Sequence, residues 1–298
     1  MCRGPSTATV KIEGWGRWRR CDFCALQFVE PLSYEGNLGN LFDNAYKGLE
    51  TSNDLQDFAY RLSERSAFLE NPSLWFWTPA YYDVLDWLDI NCSGHGTILD
   101  LGCGLGYFLH SLRGKGFNPV GVDIAETAVS LNRDDGFRVW HGSVDQIPMG
   151  WVSPEAIVSF FMFHHTPNPS EAIQNIRAKW PSARLAIAVY GPSNYSPSRS
   201  NPPRTLIRWS SAGLRSLLEG AGYELEVREY SSSGTEAGFL RPLGNLRKRI
   251  KLKERGIRVA KLIELGTLPR LMRPFVQRDY VLLALAKPLN GVGPVMLR

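Results

Sequence analysis

No run of about 18 consecutive apolar residues occurs anywhere in the 298-residue chain, which argues against a membrane-spanning helix. Residues 1–20 also lack the apolar stretch before a cleavage site that marks a secretory leader. These two absences make a cytoplasmic protein the expectation. Cysteine is scarce, and five in a chain of this length do not make a disulfide framework, so reduced thiols are expected. Excess charge is small as well: a formal net charge of +5 requires no nucleic-acid partner. Internal repeats and low-complexity tracts are missing. What the chain does have is 44% apolar residues, enough for a real core, and a length suited to one large domain with additions or two small ones.

The pattern changes three times along the chain. Residues 1–31 are rich in Gly, Arg and aromatics and show little helical periodicity, which reads as a small loop-and-hairpin unit outside the main core. Residues 32–95 read as a helical cap, with Phe58, Leu62, Trp75, Trp77, Tyr82, Val84, Leu85 and Leu88 at helical spacing. From residue 96 to residue 288, short apolar runs alternate with helical windows. The runs are Thr97–Leu101, Pro119–Val122, Phe137–His141, Ala156–Phe161 and Arg184–Tyr190; the windows are Tyr107–Lys115, Ala125–Leu131 and Pro169–Trp180. This alternation predicts an α/β, doubly wound, mostly parallel sheet with right-handed crossovers. Residues 191–203 read as a long surface loop. Ser210 is placed to cap a helix running to Gly220, and Tyr223–Tyr230 and Asp279–Leu285 supply further strands. Between those strands residues 241–277 form a basic insertion expected to be helical, and residues 289–298 form a tail.

Chemistry concentrates where the first of these strands ends. Asp100 runs into Gly102, Gly104 and Gly106 and then into a helix, a turn whose bare backbone lets a ligand approach helix N-terminal amides. Asp123 ends the next strand, where a carboxylate can take both ribose hydroxyls of an adenosine-containing ligand or cap the following helix. A nicotinamide fingerprint would need its third glycine at position 107, where this chain has Tyr107.

The run Ile98-Leu99-Asp100-Leu101-Gly102-Cys103-Gly104-Leu105-Gly106, followed by Val120-Gly121-Val122-Asp123, resembles the first two motifs of class I S-adenosylmethionine-dependent methyltransferases. Gly142 to Pro148 and Val158-Ser159 through His164-His165-Thr166-Pro167-Asn168-Pro169 continue the match in order, over about residues 75–230. The resemblance implies a seven-stranded Rossmann-like sheet. It also implies S-adenosyl-L-methionine as cofactor, with Asp100, Gly102, Gly104 and Gly106 at its methionine end and Tyr107 among the cofactor-binding residues. Asp123 would meet the ribose, Ile124, Ser143 and Val144 the adenine, and Phe160 the same site. Ser143 departs from the family, which often has a carboxylate there; either Asp145 substitutes or the contact is lost.

His164 and His165 lie just past the fourth strand, and either is a candidate general base for a hydroxyl or amine acceptor; packing roles are the alternative. Trp75, Trp77, Tyr81, Tyr82 and Trp87 precede the first strand, where similar enzymes place a lid, and suit an apolar or planar substrate. Arg204 stands where a histidine is frequent. Cys21-Asp22-Phe23-Cys24 resembles the second half of the zinc ribbon that some of these methyltransferases carry. With Cys2 as the remaining ligand the set is incomplete, which implies a chain that begins upstream or a degenerate ribbon. The basic residues from Arg241 to Lys261 read as a solvated helix face or as a contact for a polyanion, nucleic acid or an acidic carrier. The expected function is methyl transfer to oxygen, nitrogen or carbon of a small or carrier-bound metabolite; the alternative is a binding protein that keeps the fold without turnover.

Overall fold

The computed structural model describes residues 5–12, 16–30, 37–49, 56–70, 78–191, 202, 205–233 and 278–289. The chain opens with β1 (Ser6–Ile12), β2 (Gly16–Cys21) and β3 (Gln27–Glu30), followed by α1 (Leu38–Tyr46), α2 (Gln56–Ser63), α3 (Arg65–Glu70) and α4 (Thr78–Asn91). The alternating region then runs β4 (Thr97–Leu101), α5 (Tyr107–Gly114), β5 (Asn118–Asp123), α6 (Glu126–Asp134), β6 (Arg138–His141), β7 (Ala156–Phe160), α7 (Pro169–Lys179) and β8 (Arg184–Tyr190). It closes with β9 (Ile207–Arg208), α8 (Ser211–Glu219), β10 (Tyr223–Ser233) and β11 (Arg278–Pro288).

Seven strands form one sheet in the order β10-β11-β8-β7-β4-β5-β6. The five from β4 to β8 are parallel, and β11 pairs antiparallel with both β8 and β10. Neighbouring residues of a strand serve opposite faces. Ile98 joins the apolar cluster under α4 and α5, with Val84, Leu88, Phe108 and Leu112. Leu99 joins the cluster under α7 and α8, with Ile173, Ile176, Leu214 and Leu217. Helix starts follow local capping chemistry. Asn168 accepts the Glu171 amide at 3.3 Å and donates to its carboxylate at 2.8 Å, ahead of Pro169 at the first helical position. Ser210 accepts the Gly213 amide at 2.9 Å.

The N-terminal hairpin unit departs from the sequence reading. Rather than lying outside the core, it completes it. The strand β3 pairs with β9, giving a second sheet in the order β1-β2-β3-β9. Cys21, Cys24 and Leu26 are buried in the same cluster as Trp209 and Leu214. Arg208 covers the Trp18 ring at 4.1 Å, and the Ser210 hydroxyl bonds the Cys24 carbonyl. The cause is the two-residue strand β9, nearly 180 residues downstream, whose pairing draws the hairpin onto the body.

Of the expected cap residues, Trp75 and Trp77 lie outside the described residues, as do Cys2, Arg204 and the basic insertion. Among the described residues no helix is long and apolar enough to cross a membrane.

Candidate functional site

The carboxyl ends of β4, β5 and β7 carry the site, the side of an open parallel sheet where ligands bind. After β4 the chain turns through Gly102, Gly104 and Gly106, all at positive φ, and enters α5 at Tyr107. The turn is tied to its neighbour strand, since the Gly102 and Cys103 amides donate to the Val122 carbonyl at 2.8 and 3.0 Å. Asp123 then closes the corner: one carboxylate oxygen accepts the Gly104 amide at 2.8 Å, the other the Ala125 amide at 2.9 Å. Asn132 of α6 reaches back to donate to the Gly104 carbonyl at 2.7 Å and to the Ala128 carbonyl at 2.8 Å. Thus strand and helix hold the Gly102–Gly104 half of the loop in place.

Electrostatically the corner is acidic and sheltered. Asp100 is 2% exposed; burial, with the nearby Asp123 charge adding to it, pushes its carboxyl up to about 8. Burial also raises Asp123, opposed by the amides of Ala125, Gly104 and Ile124. Burial, aided by Asp123 and Asp100, keeps the Cys103 thiol protonated, and its sulfur fills the space beside Gly121.

The helical cap lies across this corner. On α1, Tyr46 places its hydroxyl against Gly104, and Gly39 packs so closely on the Ile124 carbonyl that a Cβ there would come within 2.6 Å. Asp43 accepts the Thr127 amide at 2.7 Å and so caps α6, whose own N-cap, Ala125, offers no side-chain bond. Although burial works against it, the bonds from Lys47 and Thr127 hold the Asp43 carboxyl below its ordinary value.

At the end of β6, Ser143 is half-buried, and both its amide and its hydroxyl donate to Gln146 Oε1, at 2.9 and 3.1 Å. Asp145 is exposed, so Gln146, which the sequence reading did not single out, is the polar neighbour of Ser143. Val144 packs against the main core and Ile124 against the cluster of α1.

The β7 end is aromatic. Phe160 stacks on Tyr81 of α4 at 4.2 Å and touches Phe108 at 4.6 Å. Phe161 adopts φ 64, rare for a bulky residue, and stacks on Tyr190 at 4.6 Å. Tyr190 in turn stacks on His164 at 4.5 Å. His164 is wholly buried, its Nε2 facing the Tyr190 amide at 3.4 Å. His165 is half-buried and meets Phe42 of α1 edge-on at 4.9 Å. Of the expected lid aromatics, Tyr81 reaches this wall, Tyr82 is half exposed, and Trp87 packs under the sheet. Tyr46, Arg65, Asn132 and Tyr190 carry no motif that would have flagged them; only their placement does.

For zinc, Cys21 and Cys24 are each 3% exposed, packed among apolar side chains. Among the described residues no three His, Cys, Asp or Glu gather around a metal position. Two thiols fall short of the four ligands that tetrahedral zinc takes, so no role is derived for a metal.

An open α/β sheet with a three-glycine turn and an acid at the next strand end is the arrangement in which such folds take adenosine-containing ligands. A methyltransferase-domain family matches residues 76–227, over half of the chain. The chain belongs to this family, the class I S-adenosylmethionine-dependent methyltransferases. A ubiquinone biosynthesis O-methyltransferase of Aromatoleum aromaticum is 30% identical over 97 residues, covering 30% of this chain and 42% of that protein, so the match spans less than half of this curated relative. Among solved structures, a candidate sarcosine dimethylglycine methyltransferase from Galdieria sulphuraria superimposes with a TM-score of 0.50 at 19% identity, covering 70% of this chain and 84% of that one. Phosphoethanolamine N-methyltransferase 2 of Haemonchus contortus, in complex with S-adenosyl-L-methionine, gives 0.48 at 15% identity, covering 70% of this chain and 52% of that one. At 19% identity the likeness to the Galdieria structure is one of fold.

Proposed function

We propose that this chain binds S-adenosylmethionine along the glycine turn and directs its methyl group to a small or carrier-bound acceptor, most simply to an oxygen on a planar or apolar molecule. The observation that carries the reading is the Asp123 bridge to Gly104, which joins the bare-backbone turn to an acid at the neighbouring strand end. The residues fit the cofactor: three glycines at positive φ leave the turn's backbone free of side chains, and each Asp123 oxygen keeps a further lone pair for a ribose hydroxyl. Ile124 and Val144 supply apolar flanks for the adenine, and Tyr107 opens the helix whose amides face the methionine end. When bound, the sulfonium supplies an activated methyl group, so the protein's task is alignment and, where needed, removal of one proton. The aromatic wall of Phe160, Phe161, Tyr81 and Tyr190 supports a planar or apolar acceptor. That the Aromatoleum relative is an O-methyltransferase supports oxygen as the atom methylated.

The two histidines divide by burial. His164, enclosed between Tyr190 and the backbone, suits a packing role; His165, half-buried beside α1, is the better placed base. Replacing His165 by alanine is expected to lower turnover about 10²-fold or more while leaving affinity for S-adenosylhomocysteine unchanged. His164→Ala is expected to lower the melting temperature first. Wild-type turnover in the His165 variant with a working acceptor removes the base assignment.

Calorimetry with S-adenosylhomocysteine tests the cofactor reading directly. Asp123→Asn keeps the shape but loses the charge and turns an NH2 group toward one of the two amides. Charge-assisted bonds contribute about 1.5–3 kcal/mol, so affinity should fall about ten- to hundredfold. No heat of binding from the wild type, or equal affinity in the variant, sinks the reading.

A further inference from the structure

A largely buried cation helps to join the cap to the glycine turn. Arg65, the first residue of α3, has a side chain only 12% exposed. Its Nε donates to the Leu105 carbonyl at 2.8 Å, and its Nη2 pairs with Asp135 at the far end of α6. Asp135 is shared with His110 of α5, whose Nε2 lies 2.8 Å away. Burial alone would raise the Asp135 carboxyl, but Arg65 and His110 hold it below its ordinary value. Beside this junction the Tyr107 hydroxyl donates to the Arg61 carbonyl of α2 at 3.1 Å, and Phe68 of α3 meets the Tyr107 ring at 5.8 Å.

Leu105 lies between Gly104 and Gly106, so its carbonyl is part of the turn itself. The two successive carbonyls of this turn are therefore held from different parts of the molecule. Asn132, from the body, holds that of Gly104; Arg65, from the cap, holds that of Leu105. The guanidinium also lies over Gly106, 3.4 Å from where a Cβ would stand. Burying a cation to fasten a helix is costly, and apolar side chains can fasten one as well. The planar fork offers something they do not, which is direction: it satisfies a carbonyl on the turn and a carboxylate on α6 in a single geometry. When the cap lifts, both acceptors lose that partner at once.

Resting on the methyltransferase reading above, we infer that Arg65 is a positioning residue that couples closure of the α2–α3 cap to the shape of the cofactor turn. Coupling of this kind is reciprocal. Whatever factor the closed cap adds to cofactor affinity, bound cofactor adds to cap closure. Asp123 and Asn132 hold Gly104 in either state, whereas Arg65 holds Leu105 only in the closed one.

The test measures both sides of that equality on the full chain. S-adenosylhomocysteine affinity is read by calorimetry, and closure by hydrogen exchange of the amides in residues 56–70 with and without this ligand. In the wild type, saturating ligand is expected to slow exchange there about tenfold, within the usual range of coupling. Arg65→Ala should weaken affinity by a similar factor and abolish the ligand-dependent slowing. Arg65→Lys, a point charge unable to span both acceptors, should recover less than half of either effect on a logarithmic scale. A merely structural arginine would lower the melting temperature yet leave affinity and ligand-dependent protection intact, and that result overturns the proposal. Should Arg65→Ala fail to fold, Asp135→Asn removes one arm of the fork and leaves the Leu105 bond. It should shift both readouts in the same direction, and no shift overturns the proposal equally. A wild type that binds no S-adenosylhomocysteine defeats the functional reading and this inference together, whereas normal binding with unchanged variants defeats the inference alone.

Discussion

Replacing Gly106 by alanine is expected to abolish measurable binding of S-adenosylhomocysteine and to lower the melting temperature by several degrees. Two causes act together. The residue sits at φ +78, where a Cβ is strained by about 1–2 kcal/mol. The added Cβ would also stand 2.9 Å from Asn132 Cγ and in direct overlap with its Oδ1. Asn132 cannot step aside cheaply, because it is wholly buried and its amide group holds the Gly104 and Ala128 carbonyls. Moving it takes the side-chain partner away from the Gly104 carbonyl, at about 1–3 kcal/mol, and frees the turn. Gly114, at the end of α5, is the control. Nothing lies within 4 Å of a Cβ there, and its φ is not in the left-handed region. Alanine at position 114 should leave affinity unchanged and raise stability slightly by restricting the unfolded chain. If Gly106→Ala binds the ligand within threefold of wild type, the turn is not the cofactor cradle.

The contrast between these two glycines also marks what a sequence can reveal. The parallel strands were legible because each is a short apolar run set between turn residues, and burial on both faces leaves that signature locally. β4 and β8 occupy the expected residues, β7 differs by one residue at one end, and β5 by one residue at each end. The glycine turn was legible because its spacing is itself the chemistry. Long-range pairing was not. The hairpin at residues 6–30 looks self-contained, and only β9, a two-residue strand, makes it part of the core. Helical periodicity in the cap identifies which residues face inward but not what they meet. Tyr46 and Arg65 therefore gave no sign that they reach Gly104 and Leu105. The adjacent histidines could not be ranked either, because the ring that encloses His164 belongs to Tyr190, on another strand.

The acidic corner makes stability depend on pH in a direction opposite to that of an ordinary ion-paired carboxylate. Asp100 has an ordinary value of 3.8 and is pushed up to about 8 in the folded chain, by burial first and by Asp123 second. Between those values the folded protein holds a proton that the unfolded chain has released. The stability that Asp100 contributes is therefore full below about pH 4, declines as pH rises towards 8, and levels off above it. Each unit of the shift corresponds to about 1.4 kcal/mol, and Asp123, shifted in the same direction, adds to the slope. Asp100→Asn is neutral at every pH. Urea unfolding from pH 4.5 to 8.5 should show the wild type losing several kcal/mol while the variant loses markedly less. Equal slopes would show that Asp100 is ionised in the fold and its burial compensated in some other way. The cost at neutral pH has a functional counterpart, since an acid held protonated in a sheltered corner is poised to ionise beside a cation. S-adenosylmethionine carries a sulfonium and an ammonium group. Its binding at pH 7 should release about one proton per site, read from binding heats in buffers of different ionisation enthalpy. Asp100→Asn should release almost none and bind less tightly, whereas equal release by both proteins would move the proton's origin away from this corner.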